Sequence, residues 1–186
     1  MGKVLVGAAI SLDGLASDPQ GNLDALYPDL DALRETEVLQ ESIRTTGAAI
    51  LGRRAYDMAE DPDLYAEHYE YQVPLFILTH RPPAHKPREA GGLTFTYVTD
   101  GIESAVRQAR AAAGERDVTV VGGISTFRQC VNAVLADELH LDIVPVLLGA
   151  GPRLWDGVDP AALRLERIAV IEMANGRTHL RYRIVR

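Results

Sequence analysis

Residues 120 to 127, VVGGISTF, set two adjacent glycines between an apolar run and a segment with helical spacing. Such a pair has three uses: a turn, a close helix–strand contact, or a bare backbone that a phosphate can approach. The flanks decide the fold before they decide among these. DVTVVGG (117–123) reads as a strand, and Ile124, Phe127, Val131 and Val134 then fall on one helical stripe. A strand that feeds a helix through glycines is the repeating unit of an α/β sheet.

The same alternation extends outward. KVLVGAAI (3–10), almost wholly apolar and closed by SLDG, predicts a central strand buried on both faces. After the polar loop ASDPQGN, the spacing of Leu30, Leu33, Leu39 and Ile43 predicts a helix over Tyr27 to Thr46, with Pro28 near its start. GAAILG (47–52) is a second strand, and RRAYDMA opens a helix directly behind it. VPLFILTH (73–80) is a third strand, the breaker-rich RPPAHKPREAGG follows, and LTFTYV (93–98) is a fourth. Ile102, Ala105, Val106 and Ala109 predict a crossover helix over Ile102 to Ala113, with Gly114 at its end. Beyond residue 137 the helical signal stops. ELHLDIVPVLL, LRLERIAVIEMA and RTHLRYRIV are strand-like, and Asn175-Gly176 carries a hairpin signal. The whole predicts one α/β domain over residues 1–186, with a mixed central sheet of about eight strands flanked by helices.

Composition narrows the class. A net charge of -7 and a pI near 5.2 argue against nucleic-acid binding, which needs a basic face, and suit a soluble cytoplasmic protein. Cys130, the single cysteine, sits in the apolar FRQCVNAVL and reads as a buried, inert thiol. No run reaches membrane-spanning length and no leader is evident. The edges of so extended a C-terminal β region must be covered, which makes a homodimer the expected state.

Two strand-to-helix junctions, ILGRRAY (50–56) and VVGGISTF, stand out as places where ligands collect, because helix starts expose unpaired N–H groups at the ends of parallel strands. Two junctions can bracket the phosphates of one dinucleotide, and Arg53 and Arg54 add guanidinium forks. Packing glycines and solvated arginines remain the plain alternatives at each position. His140 and Asp142 alternate with Leu139, Leu141 and Ile143, so they face the opposite side of their strand, lining either a pocket or a polar sheet face. Trp155 supplies a stacking wall or core.

Taken in order, AAISLDGLA (8–16), LGRRAYD (51–57), VVGG-x3-F-x-Q and DELHLDIVPVLLGAGPRLW (137–155) resemble the dihydrofolate-reductase-like superfamily. Within it they are similar to the branch containing the reductase domain of bifunctional riboflavin-biosynthesis deaminase/reductases and its stand-alone relatives. The resemblance covers nearly the whole chain and implies a three-layer fold and an NADPH-dependent reductase. It places Gly52, Arg53 and Arg54 by the adenosine phosphates, although Ala55 stands where many relatives carry threonine. Thr79, His80 and Arg81 fall by the ribose phosphate, and Arg53, Arg54 and Arg81 together imply NADPH over NADH. Gly122 and Gly123 lie at the pyrophosphate, with Ile124, Ser125 and Thr126 offering helix-start N–H groups. Ala8, Ala9 and Ile10 lie beneath the nicotinamide, Asp13 beside it as the catalytic or loop-orienting residue, and PVLLGAGPRLW closes over the site or forms a dimer contact. For the acid that supports substrate protonation in folate reductases, Asp24, Asp29 and Asp31 are the candidates, none in an unambiguous position. No metal is implied, and the H-x-E and P-C-x-x-C pattern of a zinc deaminase is absent from this sequence. The expected substrate is a small heteroaromatic or imine-like molecule, pterin, pyrimidine or flavin-related. The alternative is a non-catalytic module that kept the dinucleotide cradle.

Overall fold

The computed structural model describes residues 2–28, 30–59 and 61–185. Among them, eight strands form one sheet: β1 (Val4–Ser11), β2 (Thr46–Gly52), β3 (Leu75–Leu78), β4 (Phe95–Val98), β5 (Asp117–Gly122), β6 (Glu138–Val144), β7 (Arg164–Glu172) and β8 (Thr178–Val185). Their order across the sheet is β4-β3-β2-β5-β1-β6-β8-β7. Every pairing from β4 to β6 is parallel, while β6–β8 and β8–β7 are antiparallel. The apolar first strand is central, as its composition requires. The loss of helical signal after residue 137 is the change from crossover connections to a hairpin, turned at Asn175 and Gly176, both at positive φ.

Six helices pack on this sheet among the described residues: α1 (Leu30–Arg34), α2 (Glu37–Thr45), α3 (Arg53–Tyr56), α4 (Tyr65–His68), α5 (Ile102–Ala113) and α6 (Ile124–Asn132). On one face, α5 and α6 cover a continuous core that includes Val4, Val6, Ile50, Val118, Val120 and Leu139. Cys130 is buried there, and burial pushes its thiol up to about 12, so it stays protonated. Trp155 belongs to the same core, edge-on to Phe127 at 5.6 Å. The opposite face carries two separate apolar groups. One is aromatic, with Tyr56 stacked on Tyr65 at 5.5 Å and both edge-on to Phe95, under Leu39 and Ile43. The other is small: Ala9, Leu26 and Val144, with Leu23 and Tyr27 against them. No helix among the described residues is long and apolar enough to cross a membrane.

The helix expected over Tyr27 to Thr46 is two helices, α1 and α2. Thr36 interrupts it in extended geometry, donating from Oγ1 to Leu33 O at 2.7 Å and accepting from Leu39 N at 3.3 Å. That is an N-cap, and a capping threonine starts a new helix more readily than it continues an old one. At the far end the chain enters β2 at once. Thr46, fully buried, donates or accepts at 2.6 Å with Thr119 across the sheet and caps Ser42 O at 2.6 Å. The helix expected from RRAYDMA is a single turn, Arg53–Tyr56, and β5 stops at Gly122, leaving Gly123 as the N-cap of α6.

Candidate active site

Because β1 to β6 run parallel, their C-terminal ends share one edge of the sheet, and the two glycine junctions meet there. β2 and β5 are neighbours, with Leu51 paired to Gly122. A Cβ on Gly52 would collide with Thr126 Oγ1, and one on Gly123 would lie 3.2 Å from Gly52 Cα. Gly123 also has φ of +93°, which disfavours any side chain. The two junctions therefore touch backbone to backbone, so the close-contact use of the glycines is realised. It also leaves a bare surface at a helix start. Gly123 offers no side-chain cap, and the N–H groups of Ile124, Ser125 and Thr126 find no acceptor among the described residues. Gly122 faces Ala55, whose Cβ would stand 3.0 Å from a Cβ there, so the alanine is the small partner of a second close approach.

The basic residues gather beside this contact. Arg53 Nε donates to both carboxylate oxygens of Asp57, at 2.7 and 2.8 Å, and its Nη1 donates to Arg81 O at 2.8 Å. That guanidinium is a strut linking the end of β3 to the turn after β2. Arg54, exposed, and the guanidinium of Arg81, also exposed, have no ion pair or hydrogen bond among the described residues. Thr79 uses its hydroxyl within the turn, donating to Arg81 O at 2.9 Å and accepting from Arg81 N at 3.3 Å. His80 is exposed at the turn's apex. The sequence therefore brings together Gly52, Arg53, Arg54, Thr79, His80, Arg81, Gly122, Gly123, Ile124, Ser125 and Thr126 along one edge, with Arg53 and Thr79 engaged by protein groups.

Ala9 and Ile10 end β1 two strand positions along. Their side chains diverge, Ile10 into the core under α6 and Ala9 into the small group with Leu26, so toward the edge they present backbone. Past them the chain turns through Asp13. Its carboxylate accepts from Ser11 Oγ at 2.6 Å, Gly149 N at 2.8 Å and Leu148 N at 3.2 Å. Arg153 donates to Asp13 O at 3.2 Å, Ala16 N to Pro152 O at 2.9 Å, and a Cβ on Gly151 would strike Ser17 O. Asp13 thus staples the loop after β1 to the glycine-rich loop after β6. The Ser11 hydrogen bond, then those from the backbone, lower its pKa from the ordinary 3.8 to about 2. An acid held so firmly as the anion orients loops and does not supply protons near neutrality.

On the face across the sheet from α5 and α6, Gly7 of the central strand is partly exposed. A Cβ there would meet only His140 O within 4 Å, at 3.7 Å, so the strand is open at close range. Register places His140 beside Gly7 and Asp142 beside Ala9. Asp142 accepts from His179 Nδ1 across the β6–β8 ladder at 2.7 Å, and Arg181 Nε donates to His179 Nε2 at 3.2 Å, fixing the proton on Nδ1. Arg181 in turn reaches Glu41 of α2 at 2.6 Å, and Arg177 lies over the Tyr27 ring and 3.5 Å from Asp142. Burial, then the Asp142 charge, push the Tyr27 hydroxyl up to about 12, and burial lowers the pKa of His140, leaving both neutral at pH 7. His140 and Asp142 were marked by alternation. Their partners His179 and Arg181 were not, although THLRYRIV places them on one face of its own strand. Asp24 and Asp31 are exposed, Asp31 paired to Arg34 at 3.2 Å, and Asp29 lies outside the described residues. No group of three or more potential ligands could hold a metal among the described residues.

Two outcomes follow from this geometry. Gly123→Ala is expected to destabilise the protein by at least about 1–2 kcal/mol, seen as a lower urea midpoint at unchanged slope, because the backbone there is left-handed. Asp13 carries a folded pKa below its ordinary 3.8, so the staple holds above that pH and is lost as pH falls towards about 2. The Gly149 amide resonance should titrate with that low midpoint in NMR spectra, and a midpoint near 3.8 would show the staple to be unformed in solution.

Comparison with known proteins bears on the family and the fold. Residues 2–177 match the model of the RibD C-terminal domain family. The whole chain superposes on a putative riboflavin biosynthesis protein from Shewanella sp. PV-4, with a TM-score of 0.78 and 22% identity over 99% of both chains. It also matches 57% of a Thermotoga maritima diaminohydroxyphosphoribosylaminopyrimidine deaminase/5-amino-6-(5-phosphoribosylamino)uracil reductase, with a TM-score of 0.71, 17% identity and 99% of this chain covered. An Enterococcus faecalis dihydrofolate reductase complexed with NADP(H) shares the fold, with a TM-score of 0.62 and 14% identity over 99% of this chain and 97% of that one. The sheet order, the paired glycine junctions and the full-length match together make this chain a member of the RibD C-terminal domain family, with a dihydrofolate-reductase-like fold.

Proposed function

We propose that the protein is an NADPH-dependent reductase that transfers a hydride to a small heteroaromatic or imine-like substrate, pterin, pyrimidine or flavin-related. The observation that carries this is the meeting of Gly52 and Gly123 at adjacent strand ends, with unacceptored helix-start N–H groups on one side and the open guanidinium groups of Arg54 and Arg81 on the other. NADPH, when bound, supplies the hydride. Gly122 to Thr126 would hold the pyrophosphate through backbone donors, and Arg54 and Arg81 the 2′-phosphate. Arg53, tied to Asp57 and Arg81, keeps the turns that carry those groups in place.

The substrate would approach over Gly7, where the strand is open at close range next to Ala9. There Asp142 offers a carboxylate beside the end of β1, and His179 and Arg181 fix its orientation. His179, with its proton directed to Asp142, orients that carboxylate toward the substrate, and the proton that the reduction requires would come from solvent. Asp13 keeps the two rim loops together and limits water at the reacting face.

Calorimetric titration should show NADPH binding more tightly than NADH, and Arg81→Ala should erase about 10- to 100-fold of that preference, the worth of one charge-assisted contact. Absence of binding to either nucleotide would overturn the reductase reading. Tight NADPH binding without turnover of any pterin, pyrimidine or flavin would instead identify the non-catalytic module. With a substrate in hand, Asp142→Asn should lower kcat by roughly 100-fold or more while NADPH affinity stays within about twofold.

A further inference from the structure

Of the two histidines on the open side of the sheet, one has a ring nitrogen to spare. His179 is engaged at both, since Nδ1 donates to Asp142 at 2.7 Å and Nε2 accepts from Arg181 Nε at 3.2 Å. His140, partly exposed, meets Glu138 Oε2 through Nε2 at 3.3 Å, and its Nδ1 makes no hydrogen bond among the described residues. The two rings pack edge to face, with 5.4 Å between centroids and 85° between planes. Register sets His140 directly beside Gly7, which has no side chain to cover the ring on that flank.

Glu138 decides the tautomer. Its burial works against a charge, but hydrogen bonds from Lys3 Nζ, at 2.6 Å, and from His140 outweigh that and hold the carboxyl below its ordinary range. An anion there accepts, so Nε2 carries the proton and Nδ1 presents a lone pair. This is the layout of a general acid–base pair, with a carboxylate orienting the ring on one side and the other nitrogen left for a reactant. Around the pair stand Asp142 of β6, His179 and Arg181 of β8, Lys3 ahead of β1 and Glu41 of α2. Burial lowers the His140 pKa from the ordinary 6.5; Glu138 opposes that shift, and the charges of His179 and Arg181 add to it. The imidazolium therefore gathers only below that value.

We propose that His140 is the catalytic proton donor, passing the Nδ1 proton to the nitrogen of a substrate C=N bond over Gly7, with Glu138 as its positioning residue. The assignment rests on the reductase reading. As the substrate carbon accepts hydride, with NADPH oxidised to NADP+, the C=N π pair moves to nitrogen, and that nitrogen takes the proton. The N–H bond at Nδ1 breaks, its electron pair stays on the ring, and Glu138 retains Nε2–H. Solvent then restores the imidazolium, so the solvent proton enters the reaction through His140.

Two readouts test the assignment. In the protein alone, imidazole nitrogen NMR spectra should show neutral His140 as the Nε2–H tautomer, titrating below 6.5, and Glu138→Gln should move that midpoint further down. Turnover of dihydropterin with NADPH should rise as pH falls and level off below the same midpoint. His140→Gln should lower kcat by roughly 100-fold or more and flatten that profile, while NADPH affinity stays within about twofold. Glu138→Gln should keep a pH profile displaced to its own NMR midpoint, which a loss of packing alone does not produce. An Nδ1–H tautomer, or a His140→Gln variant with the wild-type kcat and pH profile, would overturn the assignment and leave the reductase reading standing. NADPH binding without dihydropterin turnover at any pH would overturn it as well. A wild type that binds no NADPH would bring down both.

Discussion

Two backbones touch at Gly52 and Gly123, and the candidate site depends on that contact. Adjacent parallel strands end close together, and the chain then has to leave the sheet twice in the same small volume. With side chains the two exits would splay, because Thr126 already occupies the space beside Gly52. Without them, the first turn of α6 sits hard against the turn after β2, and its unpaired N–H groups face the edge of the sheet. The packing use and the proposed ligand use of the glycines call for one arrangement, since the close approach that removes the side chains is also what bares the backbone.

From that edge the molecule divides by face. Under α5 and α6 the core is continuous and apolar, down to a thiol that burial keeps protonated. On the other face Gly7 leaves the central strand open at close range, and the opening is bordered by ionisable residues of β6 and β8. Hydrophobic burial over so central a strand would normally close such an opening, so its persistence requires that the polar groups along it be satisfied. The Asp142–His179–Arg181–Glu41 chain does this by linking sheet to helix. Asp13 has a comparable task at the rim, where one carboxylate holds two loops separated by more than a hundred residues.

Much of the fold was legible because periodicity is local. The helix Ile102–Ala113 emerges with the bounds its apolar spacing indicates, and the strands fall where short apolar runs end in turn residues. The break at Thr36 was missed because the leucines on either side keep helical spacing through it, and only the threonine's capping hydrogen bonds reveal the interruption. At the site, residue types were readable but most of their pairings were not. The i,i+4 spacing of Arg53 and Asp57, with Met58 four residues after Arg54, was a readable sign that Arg53 is engaged and Arg54 open, but nothing in the sequence indicates that the Asp13 carboxylate is filled by amides of residues 148 and 149. Register across β6–β8 decides that Asp142 meets His179, and register is a property of the assembled sheet.

The central claim is that the ends of β1, β2 and β5 form one dinucleotide cradle. Backbone amide NMR spectra recorded during titration with NADPH test it residue by residue. The account predicts the largest shifts at Gly52 to Arg54, at Gly122 to Thr126 and at Ala9 and Ile10, moving together with a single affinity. Shifts confined to another part of the sheet, or saturating NADPH with these amides unmoved, would contradict it and leave the glycine contact as packing alone.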